Sequence, residues 1–292
     1  MRTTSTTVTR AALTAVVLVL VLALAGCGDG APRPEATAGP TVPPTAARPS
    51  SPIDDVVTVG GGDMHIRCRG EGATTVLLLA GWGGGMEGWG AVEPAVAERA
   101  RVCAYSRFGT GASDPPPRTQ TFATQATDLH RLLRAVGESG PYVLVGHSFG
   151  GAQAVTFASR YADEVAGLLL VDASPVSWPA AVCAVPAYAP GCAVMRDPAL
   201  DAERLDVFPA FAEVAAIESL GELPMTVLTA AHRTGPQLDA GELAALDEIW
   251  ADGVERWASL STSSDIVSIE SGHDIHVEHP QVVVHELLQL LP

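Results

Sequence analysis

The sequence predicts an α/β fold: a mostly parallel β-sheet covered by helices on both faces, in one domain of about 240 residues. Three observations predict it. Short, wholly apolar runs such as Val76-Leu77-Leu78-Leu79 and Val143-Leu144-Val145 read as strands buried on both faces. These runs alternate with longer segments of helical period. A G-x-S-x-G stretch, Gly146-His147-Ser148-Phe149-Gly150, stands between one such run and a helical segment.

The elements follow in order. Residues 56–59, a glycine turn at 60–62 and residues 64–66 predict an opening hairpin, hence an antiparallel edge. Residues 75–79 form a strand ending in Ala80-Gly81, 91–100 a helix and 101–105 a strand. Residues 122–136 have helical spacing, with Leu129, Leu132, Leu133 and Val136 on one face. A strand at 142–145, a helix at 152–161 and a strand at 168–171 follow. The stretch 174–223 is mixed; then come a strand at 225–229, a helix at 243–260, a strand at 266–269 and a closing helix at 282–291. In such sheets ligands bind beyond the carboxyl ends of the strands, so reactive residues should follow strands directly.

Composition narrows the function. The chain is 47% hydrophobic and 17% charged, with a formal net charge of −16 and no Lys at all. So acidic a protein is a poor partner for nucleic acid, whose phosphates need cations. The charge suits a small neutral or cationic substrate. At the N-terminus, Arg2 and Arg10 precede an apolar run over 11–25, too short for a comfortable membrane span and suited to a signal-peptide core. It ends in Leu24-Ala25-Gly26-Cys27, which resembles the lipobox of bacterial lipoproteins. That resemblance implies a signal peptide over 1–26 and a lipid on Cys27, holding the protein at the outer side of a cell membrane. An ordinary secretory signal is the other reading. Removing 1–26 takes away two Arg and no acid, leaving a formal charge of −18. Residues 27–52 are rich in Pro, Ala and Thr and predict an extended tether to a domain over 53–292.

The chemistry begins at Ser148. A strand that runs into G-x-S-x-G and a helix that leaves it need Gly on both sides, because the turn is tight. The turn lifts the hydroxyl to a helix N-terminus, where the dipole and free N–H groups favour negative charge. A Ser hydroxyl needs a neighbour to take its proton. His273, in a Gly-containing loop after the last strand, is the candidate, with His276, His279 and His285 as nearby alternatives. The spacing of His273, His276 and His279 could suggest a metal, but no further ligand pattern accompanies it, and neither a metal nor a cofactor is expected.

Three features now carry a more specific resemblance: the run from Gly146 to Gly151, the loop Tyr105-Ser106-Arg107-Phe108-Gly109-Thr110-Gly111-Ala112-Ser113, and Ser271-Gly272-His273. Over 56–291 the chain resembles the α/β-hydrolase superfamily, in its serine-hydrolase and esterase branch. The resemblance implies eight strands in the spatial order 1-2-4-3-5-6-7-8 and a cap inserted after strand 6, at about 174–223. It implies an acid that orients His273. Most members carry it after strand 7, where this chain has Thr229-Ala230-Ala231 and no carboxylate. Some branches carry it after strand 6, which points to Asp172; Asp239 is the alternative. It implies oxyanion donors on the Phe149 N–H and on the loop after strand 3. There Ala80-Gly81 stands in place of the common His-Gly, so Trp82 N–H is expected, with Gly83 as the alternative.

Apart from Cys27, the chain has Cys68, Cys103, Cys183 and Cys192, and three pairings are open on the residues alone. Strands 2 and 4 are neighbours in the implied order, which gives Cys68–Cys103 and Cys183–Cys192. Trp178, Tyr188, Met195, Phe208 and Phe211 of the cap could line an acyl pocket or form the cap's own core. The expected activity is cleavage of a small-molecule carboxylic ester, less readily an amide, by a monomer. Acyl transfer to a cell-envelope acceptor and a non-catalytic binding role are the alternatives. Dehalogenase and epoxide-hydrolase branches place Asp at the nucleophile position, so Ser148 argues against both.

Overall fold

A computed structural model describes residues 51–185, 188–231 and 238–292. The expected signal segment over 1–26, Cys27 and the expected tether up to residue 50 lie outside the described residues. No helix among the described residues is long and apolar enough to cross a membrane.

One eight-stranded sheet organises the chain, in the order β1-β2-β4-β3-β5-β6-β7-β8. β1 (Ile53–Val59) and β2 (Gly62–Arg69) form the antiparallel edge, and β2 pairs antiparallel with β4 (Arg101–Tyr105). From β4 the sheet is parallel through β3 (Thr75–Leu79), β5 (Tyr142–His147), β6 (Val165–Val171), β7 (Met225–Ala230) and β8 (Ser264–Ile269). The continuous apolar runs have their reason here. Leu77, Leu144, Leu168 and Leu170 enter the core on one face of the sheet. Val76, Leu78, Val143, Val145, Leu169 and Val171 enter the core on the other.

Helices α2 (Phe122–Ala135) and α3 (Phe149–Arg160) cover the first face, and α1 (Val92–Ala97) and α9 (Pro280–Gln289) the second. Thr121 caps α2: its hydroxyl accepts Thr124 N–H at 3.4 Å while the Thr124 hydroxyl accepts Thr121 N–H at 2.8 Å. Between β6 and β7 the chain forms α4 (Trp178–Ala184), α5 (Ala189–Arg196), a 3-10 turn (Pro198–Leu200) and α6 (Val207–Ala215). The helices α7 (Ala240–Ala258) and α8 (Ile275–Glu278) complete the set.

Most helix boundaries differ from expectation by one to three residues, and three of the differences have a plain cause. α1 stops at Ala97 rather than at residue 100, because Arg99 and Ala100 N–H both turn back to Val96 O at 2.9 Å and release the chain into β4. α3 starts at Phe149, three residues earlier than expected; two glycines in its first turn hid it, since Gly is a poor helix former. α7 starts at Ala240 because Asp239 and Glu242 form a capping box. Disulfides join Cys68 to Cys103 and Cys183 to Cys192. Cys68 and Cys103 stand directly opposite each other across β2 and β4.

Candidate active site

Ser148 lies at the end of β5 with φ at +54°, a conformation that a non-glycine residue rarely adopts. Its neighbours make the turn passable. A Cβ on Gly146 would lie 2.4 Å from Gly150 O, and one on Gly150 would lie 2.3 Å from Leu79 O. The strained turn is a local cost held by the strands on either side, the pattern expected at a functional site. Ser148 N–H donates to Val171 O at 3.2 Å, tying the turn to the end of β6. The residue is 9% exposed, and its hydroxyl pairs with the Ser174 hydroxyl at 3.1 Å.

His273 follows β8. Its Nδ1 bonds Asp172 Oδ2 at 2.6 Å, and 41% of its side chain remains exposed. Asp172 also has a positive φ, +44°, which turns the carboxylate sharply off the end of β6. Asp tolerates that region because its short polar side chain bonds locally. Asp172 Oδ1 accepts Ala230 N–H at 2.9 Å, the Trp250 indole N–H at 3.1 Å and the Thr229 hydroxyl at 3.4 Å. The carboxylate is thus buried and heavily hydrogen-bonded, with one oxygen given to the imidazole. Asp239, the alternative, accepts Gly241 and Glu242 N–H at the start of α7 and is spent as a helix cap.

The loop under His273 is itself held. Glu278 Oε2 accepts Gly272 N–H and the Ser271 hydroxyl, each at 2.9 Å, and these bonds keep its carboxyl below the ordinary range. His147 Nε2 donates to His273 O at 3.1 Å; the partner is a carbonyl, so that nitrogen carries the proton. Burial first, then the neighbouring His276 and His273, push the His147 pKa well below its usual value. His276 is buried against Trp89, with ring centroids 4.7 Å apart, and burial brings its pKa down to about 4. Neither is placed to act as a solvent-facing base; His285 is exposed on α9, and His279 stands at that helix's N-terminus. His147, Asp274 and His276 bring donor atoms close enough to share a cation, but His147 would have to surrender its proton and its bond to His273.

The loop after β3 closes the site. Gly81 lies so near that a Cβ on it would be 3.2 Å from Ser148 Cβ. The Trp82 ring stacks flat on Phe149, centroids 5.2 Å apart and planes 1° apart. Among the described residues, neither the Trp82 nor the Phe149 backbone N–H has an acceptor. Gly83 N–H is taken by Glu203 Oε1 at 2.6 Å. Of the cap aromatics, Phe211 packs edge-on against Phe149 at 4.8 Å and joins the main core. Trp178 packs against Trp250 at 5.0 Å, and Trp250 meets the His273 ring edge-on at 5.5 Å. Trp178 therefore reaches towards the site, while Met195, Tyr188 and Phe208 pack on the core.

Sequence reasoning assigned no role to Trp250, Ser174 or Glu203. Ser174 sits two residues beyond Asp172 and could have been found by that position; Trp250 and Glu203 are brought in by packing alone.

Comparison with known proteins agrees with the fold. A sequence model of the family described as the alpha/beta hydrolase fold matches residues 74–221. The uncharacterized protein YqjL of Bacillus subtilis is 25% identical over 237 residues, spanning 79% of this chain and 89% of that protein. A soluble epoxide hydrolase of Corynebacterium sp. is 35% identical over 117 residues, 40% of each protein. Seven further curated relatives, that epoxide hydrolase among them, match over 16% to 42% of their own length. Among solved structures, a hydrolase from Pseudomonas aeruginosa superposes with a TM-score of 0.61 at 23% identity, covering 81% of this chain and 97% of that one. The serine hydrolase CarC superposes with a TM-score of 0.58 at 19% identity, covering 82% and 98%. By fold, by strand order and by sequence, this chain belongs to the α/β-hydrolase family.

Proposed function

We propose that this protein is a serine hydrolase that cleaves a carboxylic ester through an acyl-enzyme. Ser148 attacks the carbonyl, His273 takes the hydroxyl proton at Nε2, and Asp172 holds the imidazole at Nδ1. The backbone N–H groups of Trp82 and Phe149 receive the developing oxyanion. The observation that carries the reading is the 2.6 Å bond between His273 Nδ1 and a buried Asp172 that follows β6, one strand over from the strained turn at Ser148.

The Ser148 hydroxyl pairs with Ser174 rather than with His273. In a site without substrate such catalytic bonds are often open and tighten on binding, so attack begins with rotation of the hydroxyl towards His273. The sequence similarity to an epoxide hydrolase does not carry that activity over, because Ser148 occupies the nucleophile position. We also propose that the chain is exported and lipidated on Cys27, as its Leu-Ala-Gly-Cys run supports. Cys27→Ala would then abolish metabolic labelling by an alkynyl fatty acid.

The deciding experiment exposes the purified domain to a fluorophosphonate probe and to p-nitrophenyl esters, with Ser148→Ala alongside. Labelling and turnover in wild type that both vanish in Ser148→Ala are expected. A well-folded wild type that neither labels nor turns over would overturn the reading in favour of a binding role. Addition of alcohol acceptors during turnover separates hydrolysis from acyl transfer: formation of a new ester would mark a transferase.

A further inference from the structure

The loop that carries Trp82 is rich in glycine: Gly81, Gly83 and Gly84 surround it. Glycine leaves a backbone free to turn, and within the loop Gly84 N–H closes back on Gly81 O at 3.0 Å. Further constraint comes from two charged side chains that are almost fully buried. The Arg107 guanidinium donates to Ala80 O and to Gly81 O, each at 2.6 Å. Glu203 is 1% exposed and pairs with that guanidinium twice, at 2.6 Å and 2.9 Å. Its Oε1 also accepts Gly83 N–H at 2.6 Å. Burial works against the Arg107 charge, yet the attraction and hydrogen bonds of Glu203 outweigh it and hold its pKa raised.

The decisive point is the peptide plane. Gly81 C=O and Trp82 N–H belong to one planar trans unit and point in opposite directions. Whatever fixes Gly81 O therefore aims Trp82 N–H. Arg107 grips that oxygen, and Glu203 grips Arg107 and the next amide along. Asp201, two residues before Glu203, holds the Trp82 indole N–H at 3.0 Å.

Glu203 comes from the segment between β6 and β7, and that segment is anchored for the purpose. Gln120 N–H donates to Arg204 O at 2.9 Å, and Asp206 N–H donates to Gln120 O at 2.9 Å. Gly109, from the Arg107 loop, has φ at +83°, and a Cβ there would lie 2.2 Å from Ala202 O. That glycine lets the strap lie down. Among the described residues three non-glycines have a left-handed φ: Ser148, Asp172 and Arg204, the last adjoining Glu203.

We propose that Glu203 is a positioning residue which, with Arg107, sets the Gly81–Trp82 peptide plane and so aims the oxyanion donor. The insertion between β6 and β7 is then part of the catalytic apparatus as well as a cover for it. This rests on the reading of Trp82 N–H as an oxyanion donor in a serine hydrolase.

The test compares wild type, Glu203→Ala and Glu203→Gln on p-nitrophenyl acetate, and measures inhibition by an alkyl trifluoromethyl ketone. In the ketone adduct the Ser148 oxygen bonds the carbonyl carbon, its proton passes to His273, and the negative oxygen rests in the hole. Loss of one oxyanion donor lowers kcat by about 10²-fold. Glu203→Ala should lower kcat on that scale with KM within about twofold, and weaken the ketone by the same factor as kcat/KM. Glu203→Gln, whose carbonyl still accepts Gly83 N–H, should recover part of both. Wild-type kcat and ketone affinity in a folded Glu203→Ala, beside an active wild type, would overturn this proposal and leave the hydrolase reading intact. An inert wild type would overturn both. Should Glu203→Ala not fold, Glu203→Gln carries the decision: it keeps an acceptor for Gly83 N–H and removes the charge that pairs with Arg107. A parallel fall of kcat and ketone affinity, smaller than about 10²-fold, supports the proposal, and wild-type values for a folded Glu203→Gln overturn it.

Discussion

Asp172 bonds His273 while also accepting the Ala230 amide and the Trp250 indole. Replacing it by Asn offers an amide N–H to His273 Nδ1 and so favours the tautomer with its proton on Nε2, which cannot accept one from Ser148. Asp172→Asn should lower kcat by about 10³- to 10⁴-fold with little change in the melting curve. Asp239→Asn should stay near wild type in the same assay, and Asp239→Ala should cost about 1 kcal/mol of stability through the lost cap. Equal losses from Asp172→Asn and Asp239→Asn would contradict the assignment. Ser148, His273 and Asp172 could be singled out as candidates in the sequence because each follows a strand closely on the carboxyl edge of the sheet. The choice between Asp172 and Asp239 was also open to reading, since Asp239 with Glu242 spells a capping box. The buried ion pair of Arg107 and Glu203 was not legible: the two are 96 residues apart and only the fold brings them together.

At the scale of elements, the strand–turn–helix around Ser148 depends on backbones approaching without side chains between them. A Cβ on Gly150 would press on Leu79 O and Ala80 O, at 2.3 and 2.5 Å, both next to the oxyanion loop. Gly150→Ala should therefore cost about 2 kcal/mol or more and lower activity further than stability alone explains. Gly191 in α5 is the contrast, with nothing within 4 Å of its added Cβ. Gly191→Ala should raise stability by about 0.5–1 kcal/mol, measured by denaturant unfolding. Strands were the elements read best, with β3 matched at both ends, because runs buried on both faces leave a plain signature. Helix starts were read less well at α3, where glycines fill the first turn, and at α7, where the start set by the Asp239 capping box was passed over.

For the whole molecule, two buried neutral histidines tie stability to pH. His276 has a pKa of about 4 in the fold against 6.5 for the free side chain. Between those values the unfolded chain binds the proton and the folded one does not. Stability is thus complete above about pH 6.5 and erodes as pH falls towards 4, by about 3 kcal/mol for this group. His147 shifts in the same direction. Melting temperatures at pH 7 and 4.5 should show the drop, and His276→Gln should flatten it; an equal slope in the variant would count against this origin. The disulfides act at the same scale. Closing loops of 35 and 9 residues stabilises by about 4 and about 2.5 kcal/mol on a chain-entropy estimate. Cys68→Ala with Cys103→Ala should accordingly cost more than Cys183→Ala with Cys192→Ala in denaturant titrations.

The carboxylate that steadies His273 hangs from β6, so Ser148, Asp172 and His273 follow β5, β6 and β8 and skip β7. β7 serves the site from its end, where the Thr229 hydroxyl and the Ala230 N–H hold the Asp172 carboxylate. A carboxylate carried by one strand and gripped by the next ties the aim of His273 to the register of β6 against β7. A one-residue slip between those two strands would therefore silence the site as surely as the loss of a side chain.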